Sequence, residues 1–255
     1  MTVPIATLAP LNFANGSTSY TSPTGERVIG SVNGPVEVGR REVQNPEEAT
    51  LEVLVKPGVG TSGPGERYVE GIIRGMLNRV VLMRDQAMAR RGVVITLIVV
   101  ENRVADGKID ERGGSYLSIL PALLHTALLS LLSAGIPMAM IYTATLIAVS
   151  PSGALLSNPS TQEIKTSTSL HVLAFSSKGN LLLDKSQGIF DVDQWEKVYD
   201  LAENVCRGGP PGGQVGRTGG DTPMGGADSQ TLEQFIRQTV EDKVRQDFRW
   251  KLDTA

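Results

Sequence analysis

A stretch of fifty residues without a charged side chain constrains this chain more than any other feature. Residues 113–162 contain no Asp, Glu, Lys or Arg, and residues 117–134 are mostly Leu and Ala. Eighteen such residues approach the length of a membrane span, but Pro121 and several polar side chains interrupt the run and Gly135 ends it. A helix that is apolar on nearly all sides, followed by an apolar strand at 138–149, is typical of a buried central helix in a soluble protein.

The charge balance excludes one class of nucleic-acid binder. The chain has 24 Lys and Arg against 27 Asp and Glu, a formal net charge of −3. A globally basic, histone-like protein is excluded, whereas a basic channel on an acidic protein is not. Cys206 is the only cysteine, so neither an intramolecular disulfide nor a cysteine-rich zinc site can form, and we expect no metal and no cofactor. The single cysteine predicts a reducing intracellular compartment, and the N-terminus does not resemble a signal peptide.

Alternating strand and helix patterns predict an α/β domain in the first half. Short apolar runs predict strands at 27–33, 50–55 and 93–100, the last buried on both faces. Between the last two strands, apolar residues at helical spacing over 69–80 predict a helix that ends near Arg90 to Gly92.

The second half repeats the pattern. Ser115 is the expected N-cap of the long apolar helix. Further strands are predicted at 138–149, 168–175 and 181–184, with a hairpin turn at 177–180, and helices at 192–205 and 235–248.

One domain accounts for nearly the whole chain. Residues 1–13 are interpreted as an N-terminal tail and residues 14–255 as a single domain. Residues 206–229 hold nine Gly and three Pro in 24 positions and almost nothing apolar, so a flexible insert is predicted there.

Several motifs are weaker than they look. Gly58 to Gly63 match G-x-G-x-x-G between a strand and a helix, but no acidic residue follows at a strand end as a dinucleotide site requires, so a mobile loop is favoured. Asp106, Asp110 and Glu111 do not fit the calcium-loop spacing. The two histidines, His125 and His171, lie within apolar segments and are interpreted as core residues with satisfied hydrogen bonds.

Four cations stand at strand ends and at the start of the first helix. They are Arg40, Arg41, Lys56 and Arg67. Loops at such positions often carry binding, and guanidinium groups there are suited to phosphates of RNA without reading its bases. Ordinary surface cations are the alternative interpretation.

Four strings, in the same order, resemble the RNase PH superfamily and, within it, ring subunits of the eukaryotic RNA exosome. They are GSVNGPVEVGRRE at 30–42, ERGGSYLSILPALLHTALLSLLSAGIPM at 111–138, SNPSTQEIKTSTSLHVLAF at 157–175 and LLLDKSQGIF at 181–190. The resemblance covers about residues 14–206 and the final helix. It implies an α+β or α/β fold of the ribosomal protein S5 domain 2-like type, with mixed sheets and packed helices.

The resemblance also identifies two positions that carry the chemistry in active members. Those enzymes phosphorolyse RNA from its 3′ end, with a G-G-T-R segment that holds phosphate and a carboxylate on a later strand. Here the segment is Gly113, Gly114, Ser115 and Tyr116, so a tyrosine replaces the phosphate-binding arginine. Thr168, or a neighbouring Ser, stands where the catalytic aspartate is expected, and residues 157–175 contain no Asp. Both sites are degenerate, and catalysis that must bind a dianion and protonate a leaving oxygen is disfavoured.

The resemblance therefore implies a non-catalytic ring subunit of the exosome. Its expected partners are other RNase PH-like ring subunits, S1/KH cap subunits, a processive exoribonuclease and single-stranded RNA, with no membrane. The expected compartments are nucleus, nucleolus and cytoplasm. Two alternatives stay open: an active phosphorolytic 3′→5′ exoribonuclease completed by a partner chain, and a dinucleotide-binding enzyme that uses the loop from Gly58 to Gly63.

Overall fold

A computed structural model describes residues 3–37, 48–102, 115–208 and 231–252. The strands are β1 (Ile5–Leu8), β2 (Gly16–Thr21), β3 (Arg27–Glu37), β4 (Thr50–Pro57), β5 (Arg91–Glu101), β6 (Tyr142–Val149), β7 (Leu155–Ser157), β8 (Ser169–Ser176) and β9 (Leu181–Gly188). The helices are α1 (Pro64–Val80), α2 (Ser115–Ser133), α3 (Thr161–Thr166), α4 (Val192–Arg207), α5 (Leu232–Asp247) and α6 (Arg249–Leu252).

Two sheets, one mixed and one antiparallel, form the frame of the fold. The first has the order β1-β2-β3-β5-β4, and within it only β4 and β5 run parallel, because α1 connects them in a βαβ unit. The second is antiparallel, with the order β7-β6-β8-β9. The mixed α/β architecture with packed helices agrees with the predicted fold class.

The long apolar helix α2 lies between the two sheets. It contacts β2 and β3 on one side and β6 and β8 on the other. Over residues 116–133, 78% of the segment is buried, although its length and composition would also suit a membrane span. Burial against two sheets at once explains why every face of α2 is apolar. The prediction of a buried central helix is confirmed.

The remaining helices complete the layers. α1 packs on β4 through Val69, Ile73 and Leu77, which join the main core. α4 covers the other face of the second sheet, where a smaller core forms around Phe175 and Val198. α5 contacts α2, α4, β1 and β6.

The first helix ends ten residues earlier than its sequence pattern predicts. α1 stops at Val80 because the next backbone groups pair with residues 137–139: Leu82 N–H donates to Pro137 O (3.0 Å) and Ala139 N–H to Val80 O (2.8 Å). The same bridge holds Met138 apart from β6, so that strand begins at Tyr142 and not at residue 138. Tertiary pairing overrides local periodicity at both ends of the bridge.

Part of the predicted tail belongs to the first sheet. Residues 5–8, within the segment 1–13, form β1 and pair antiparallel with β2. β2 was not predicted either, because its sequence, GSTSYT, is small and polar. Its burial comes from α2, which packs so closely that a Cβ on Gly16 would collide with the helix backbone near Ala134.

The predicted insert begins later than residue 206. Cys206 lies in the last turn of α4 and is fully buried in the smaller core, where burial raises the pKa of its thiol to about 12. Its burial on the apolar face of α4 is the physical reason for the correction. Residues 209–230 lie outside the described residues.

Candidate nucleic-acid interface and former phosphate site

Two tyrosines contact each other at the start of α2. Tyr116, the second residue of the helix, is half-buried and meets Tyr68 of α1 edge to face, with ring centroids 5.4 Å apart. Burial, followed by the neighbouring Tyr68, raises the pKa of Tyr116 to about 12. An N-cap residue precedes the first helical residue, but Ser115 is itself the first residue of α2, so its predicted N-cap role is wrong. Gly113 and Gly114 lie outside the described residues. A neutral aromatic pair occupies this helix start.

Thr168 immediately precedes β8, and its backbone groups hydrogen-bond to the neighbouring strands. Its N–H donates to Val149 O (2.8 Å) and its carbonyl accepts from Ile189 N–H (3.3 Å), so it links the strands on either side of β8. The side chain is exposed and carries a hydroxyl only. A hydroxyl of ordinary acidity cannot replace a carboxylate in protonating a leaving oxygen.

A chain of hydrogen bonds near Thr168 was not predicted from the sequence. Ser169 Oγ lies 2.9 Å from His171 Nε2, His171 Nδ1 lies 2.9 Å from Ser186 Oγ, and Ser186 Oγ donates to Asp184 Oδ1 (2.8 Å). Because Ser186 gives its proton to Asp184, it accepts from Nδ1–H, and Nε2 accepts from Ser169. Ser169 is only 1% exposed, so this arrangement cannot present a nucleophile to a substrate.

Both histidines have the satisfied core role predicted for them. His171 is fully buried, and burial lowers its pKa while Asp184 opposes the shift. His125, in the middle of α2, accepts Ala144 N–H at Nε2 (3.0 Å), so its Nδ1 carries the proton and faces the hydroxyl of Tyr20 (3.1 Å). Burial lowers the pKa of His125 to about 4.

The predicted cations do not form one cluster. Lys56 and Arg67 lie at the same end of β4 and are exposed, but Lys56 projects from the sheet face opposite to α1, which carries Arg67. Arg40 and Arg41 lie outside the described residues.

Arg74 is a cation that the sequence reasoning missed. It is exposed on α1 seven residues after Arg67, which places both on one face of the helix. It borders an open groove of about 770 Å³ whose lining also includes Asn78 and Arg84. The spacing of Arg67 and Arg74 was the sequence signal that could have found this face.

Comparisons with known proteins find exosome components. Exosome complex component RRP46 of Saccharomyces cerevisiae is 27% identical over 209 residues, which cover 79% of this chain and 89% of that protein. Exosome complex exonuclease RRP46 homolog of Arabidopsis thaliana is 27% identical over 165 residues, 65% of this chain and 62% of the relative. The crystal structure of rice (Oryza sativa) Rrp46 superposes with a TM-score of 0.65 at 23% identity, covering 77% of this chain and 86% of that one. No protein-family profile matches.

The chain has the RNase PH fold. The resemblance to exosome ring subunits that the sequence strings indicated is confirmed by these relatives.

The glycine-rich loop of this RNase PH fold is explained without a dinucleotide. At the start of α1, Gly63 N–H donates to the carboxylate of Glu66 (2.7 Å), a side chain that is only 2% exposed. One backbone N–H of this helix start is thus already paired within the chain itself. Gly58 is required because a Cβ there would approach Val99 O to 2.7 Å. The close approach of β5 therefore demands a glycine at this position.

Among the residues that the structure describes, no three acidic, His or Cys side chains gather to hold a metal ion. Asp106, Asp110 and Glu111 lie outside those residues.

Proposed function

We propose that this chain is a non-catalytic subunit of an RNA exosome ring. The observation that carries the proposal is the Tyr116–Tyr68 pair, which puts a neutral aromatic contact where a phosphorolytic relative needs a cation for inorganic phosphate. Thr168 supports it, because it supplies no carboxylate. The chain helps to build the channel through which RNA reaches a separate processive exoribonuclease.

The proposed partners follow from the same assignment. Other RNase PH-like subunits lie on either side of the chain in the ring, S1/KH-type subunits cap it, and single-stranded RNA passes through it. The complex operates in the nucleus, the nucleolus and the cytoplasm. Residues 5–255, which include the edge strand β1, act as one domain.

RNA is held through its phosphates, because a threading path must accept any sequence. Arg40, Arg41 and Arg67 are the proposed contacts, and Arg74 extends the exposed basic face of α1 on which Arg67 lies. Lys56 projects from the opposite face of the sheet. It therefore contacts RNA only if the RNA strand passes along that face.

A phosphorolysis assay tests the catalytic half of the proposal. The ring is reconstituted with this chain, and release of nucleoside diphosphate from poly(A) is followed with inorganic phosphate present. Any other phosphorolytic subunit is first inactivated in its own arginine or carboxylate. We expect no release above the protein-free blank. Release that scales with this chain would establish an active exoribonuclease, the activity named in 'exosome complex exonuclease RRP46 homolog' for the Arabidopsis relative.

Salt dependence tests the binding half. Arg40→Ala with Arg41→Ala should weaken binding of poly(A) and poly(U) equally and flatten the log-affinity against log-salt plot by roughly 0.7 for each lost phosphate contact. The matched control is Lys178→Ala with Lys197→Ala, two exposed lysines on the β8–β9 turn and on α4. An unchanged slope in the arginine variant, with normal ring assembly, would show that these arginines do not hold RNA.

A further inference from the structure

The end of the C-terminal helical segment carries basic and aromatic side chains together. Residues 243–252 hold four Lys or Arg and only one Asp, although the whole chain has a net charge of −3. Within this segment Phe248 is 48% exposed and Trp250 is 63% exposed. Tryptophan is enriched at binding interfaces, because its large ring is unfavourable to leave in water. The composition of this segment therefore indicates a partner outside the chain.

The segment continues α5 beyond the core. Ile236 is buried and Val240 packs on the main core, whereas Val244 and Phe248, further along the same stripe, are each 48% exposed. Phe248 N–H donates to Val244 O (3.0 Å), so the helical turn continues from α5 into α6. Side chains three or four residues apart therefore lie on one face across the junction.

Basic side chains flank the ring of Phe248. Arg245 and Arg249 are four residues apart, and Phe248 follows Arg245 by three residues, so all three share a face of the helix. Trp250 comes directly after Arg249 and lies on the other side of it from Phe248. Cations and aromatic rings thus alternate around this end of the helix.

Both guanidinium groups are available to an anionic partner. Arg249 has no ionic partner among the residues that the structure describes. The side chain of Arg245 is 74% exposed and lies 3.7 and 3.8 Å from two exposed carboxylates of the same helix, and contacts of this kind contribute little in water. Lys243 differs from them, because it pairs with Asp247 at 2.9 Å.

The alternation of cations and rings suits a single-stranded nucleic acid. Unpaired bases stack on aromatic side chains while cations contact the phosphates, and this mode of binding accepts any sequence. A helix that lies on a membrane instead presents one continuous apolar face to the lipid. Here Phe248 and Trp250 lie on either side of Arg249, so the exposed rings do not form such a face.

We propose that the segment 245–250 binds single-stranded RNA. The rings of Phe248 and Trp250 stack on bases, and the guanidinium groups of Arg245 and Arg249 hold phosphates. This contact is separate from the four cations that the sequence predicted. The inference rests on the proposed function for the choice of RNA as the nucleic acid.

The fluorescence of Trp250 tests the contact directly. The chain has two tryptophans, so Trp195→Phe in the full-length chain leaves Trp250 as the only one. Trp195 is half-buried beside the α4 core, where phenylalanine keeps an aromatic ring. We expect oligo(U) and oligo(A) of equal length to quench the emission of Trp250, because stacked bases quench an indole. The quenching should persist in Arg40→Ala with Arg41→Ala.

Two variants and two matched controls measure the contribution of the segment to affinity. Trp250→Ala should weaken binding of both oligonucleotides by about tenfold, as loss of one stacked base does. Arg249→Gln should flatten the log-affinity against log-salt plot by roughly 0.7. As controls, Phe13→Ala removes an exposed ring from the uncharged residues 1–25, and Arg237→Gln removes a cation near the start of α5. Both controls should bind RNA as the parent chain does, and thermal melting of all four variants checks folding.

The outcomes separate RNA from other partners. Absence of quenching, or RNA binding by Trp250→Ala that equals that of the parent chain, overturns the proposal. A blue shift of Trp250 emission with anionic phospholipid vesicles and no response to RNA would assign the segment to a membrane and overturn it. A homodimer that Trp250→Ala disperses, with no response to RNA, would assign the segment to a second copy and overturn it as well. Failure of the chain to enter an exosome ring would remove the proposed function without changing the quenching, so the two failures are distinguishable.

Discussion

The middle and the start of α2 differ in what surrounds them, although they belong to one helix. In the middle, His125 is 3% exposed and both ring nitrogens are hydrogen-bonded, to Ala144 of the second sheet and Tyr20 of the first. At the start, Tyr116 is half-buried and meets a side chain that is itself 53% exposed, Tyr68. The middle must satisfy two sheets at once, whereas the start can exchange one side chain for another without unfolding. We therefore expect substitutions at the start of α2 to cost less stability than substitutions in its middle.

The largest effect is expected at the middle of α2. His125→Ala leaves Ala144 N–H and the Tyr20 hydroxyl without their present partner and opens a cavity, so we expect a loss of about 4 kcal/mol of unfolding free energy. Urea unfolding measures it.

A buried hydroxyl on the same helix provides the control for His125→Ala. Ser130 is fully buried, and its Oγ makes no hydrogen bond within the described residues. Ser130→Ala should change the unfolding free energy by less than about 1 kcal/mol. Equal losses in the two variants would show that packing alone, and not the histidine bonds, fixes the middle of α2.

The second effect is a dependence of stability on pH. Burial holds the pKa of His125 at about 4 in the fold, against 6.5 for the free side chain, so the unfolded chain binds more protons between these values. The stabilisation that comes from a neutral, buried His125 is fully present above pH 6.5. It is lost as the pH falls towards 4, and the unfolding free energy then decreases by about 3 kcal/mol in all. Urea unfolding from pH 7 to pH 4 measures the slope.

His125→Gln should remove most of that slope, because its side chain does not titrate. His171 shifts in the same direction and accounts for part of the remainder. A slope unchanged by His125→Gln would place the titration elsewhere.

A smaller effect is expected at the start of α2. Tyr116→Arg removes an edge-to-face contact worth about 1 kcal/mol, so the melting temperature should fall by only a few degrees. The variant should still release no nucleoside diphosphate, because Thr168 offers no carboxylate. Tyr116→Phe, which keeps the ring contact, is the matched control. A loss in Tyr116→Arg as large as that of His125→Ala would abolish the distinction between the two parts of the helix.

The smallest effect is expected from removing residues 209–230. A Cβ on Gly208 would lie 3.0 Å from Thr231 Cγ2, so the two ends of this segment are adjacent and a few glycines can join them. Stability should stay within about 1 kcal/mol of the parent chain, because loop length costs little. Thermal melting is the measurement. A deletion that starts at residue 206 should be clearly worse, since it removes the buried Cys206. Equal melting of both deletions would contradict a stabilising role for Cys206 at the end of α4.

Sequence patterns predicted those elements whose own apolar residues indicate that they are buried. The largely apolar runs of β5 and β6 and the uncharged, mostly apolar α2 needed no context. β2 was missed because its Ser and Thr residues are buried only by the close approach of α2. The hydrogen bonds of His171 were not predicted for a similar reason. They depend on the register between β8 and β9, which places Ser186 opposite His171.

The candidate site divides along a similar line. The tyrosine at 116 and the lack of any Asp over residues 157–175 are facts of composition, and the sequence alone determined them. The contact of Tyr68 with Tyr116, the separation of Lys56 from Arg67 by the sheet, and the packing of α5 on β1 depend on which elements pack together. Side-chain chemistry is local and can be read one residue at a time, whereas contacts between residues distant in the chain exist only after the layers have assembled.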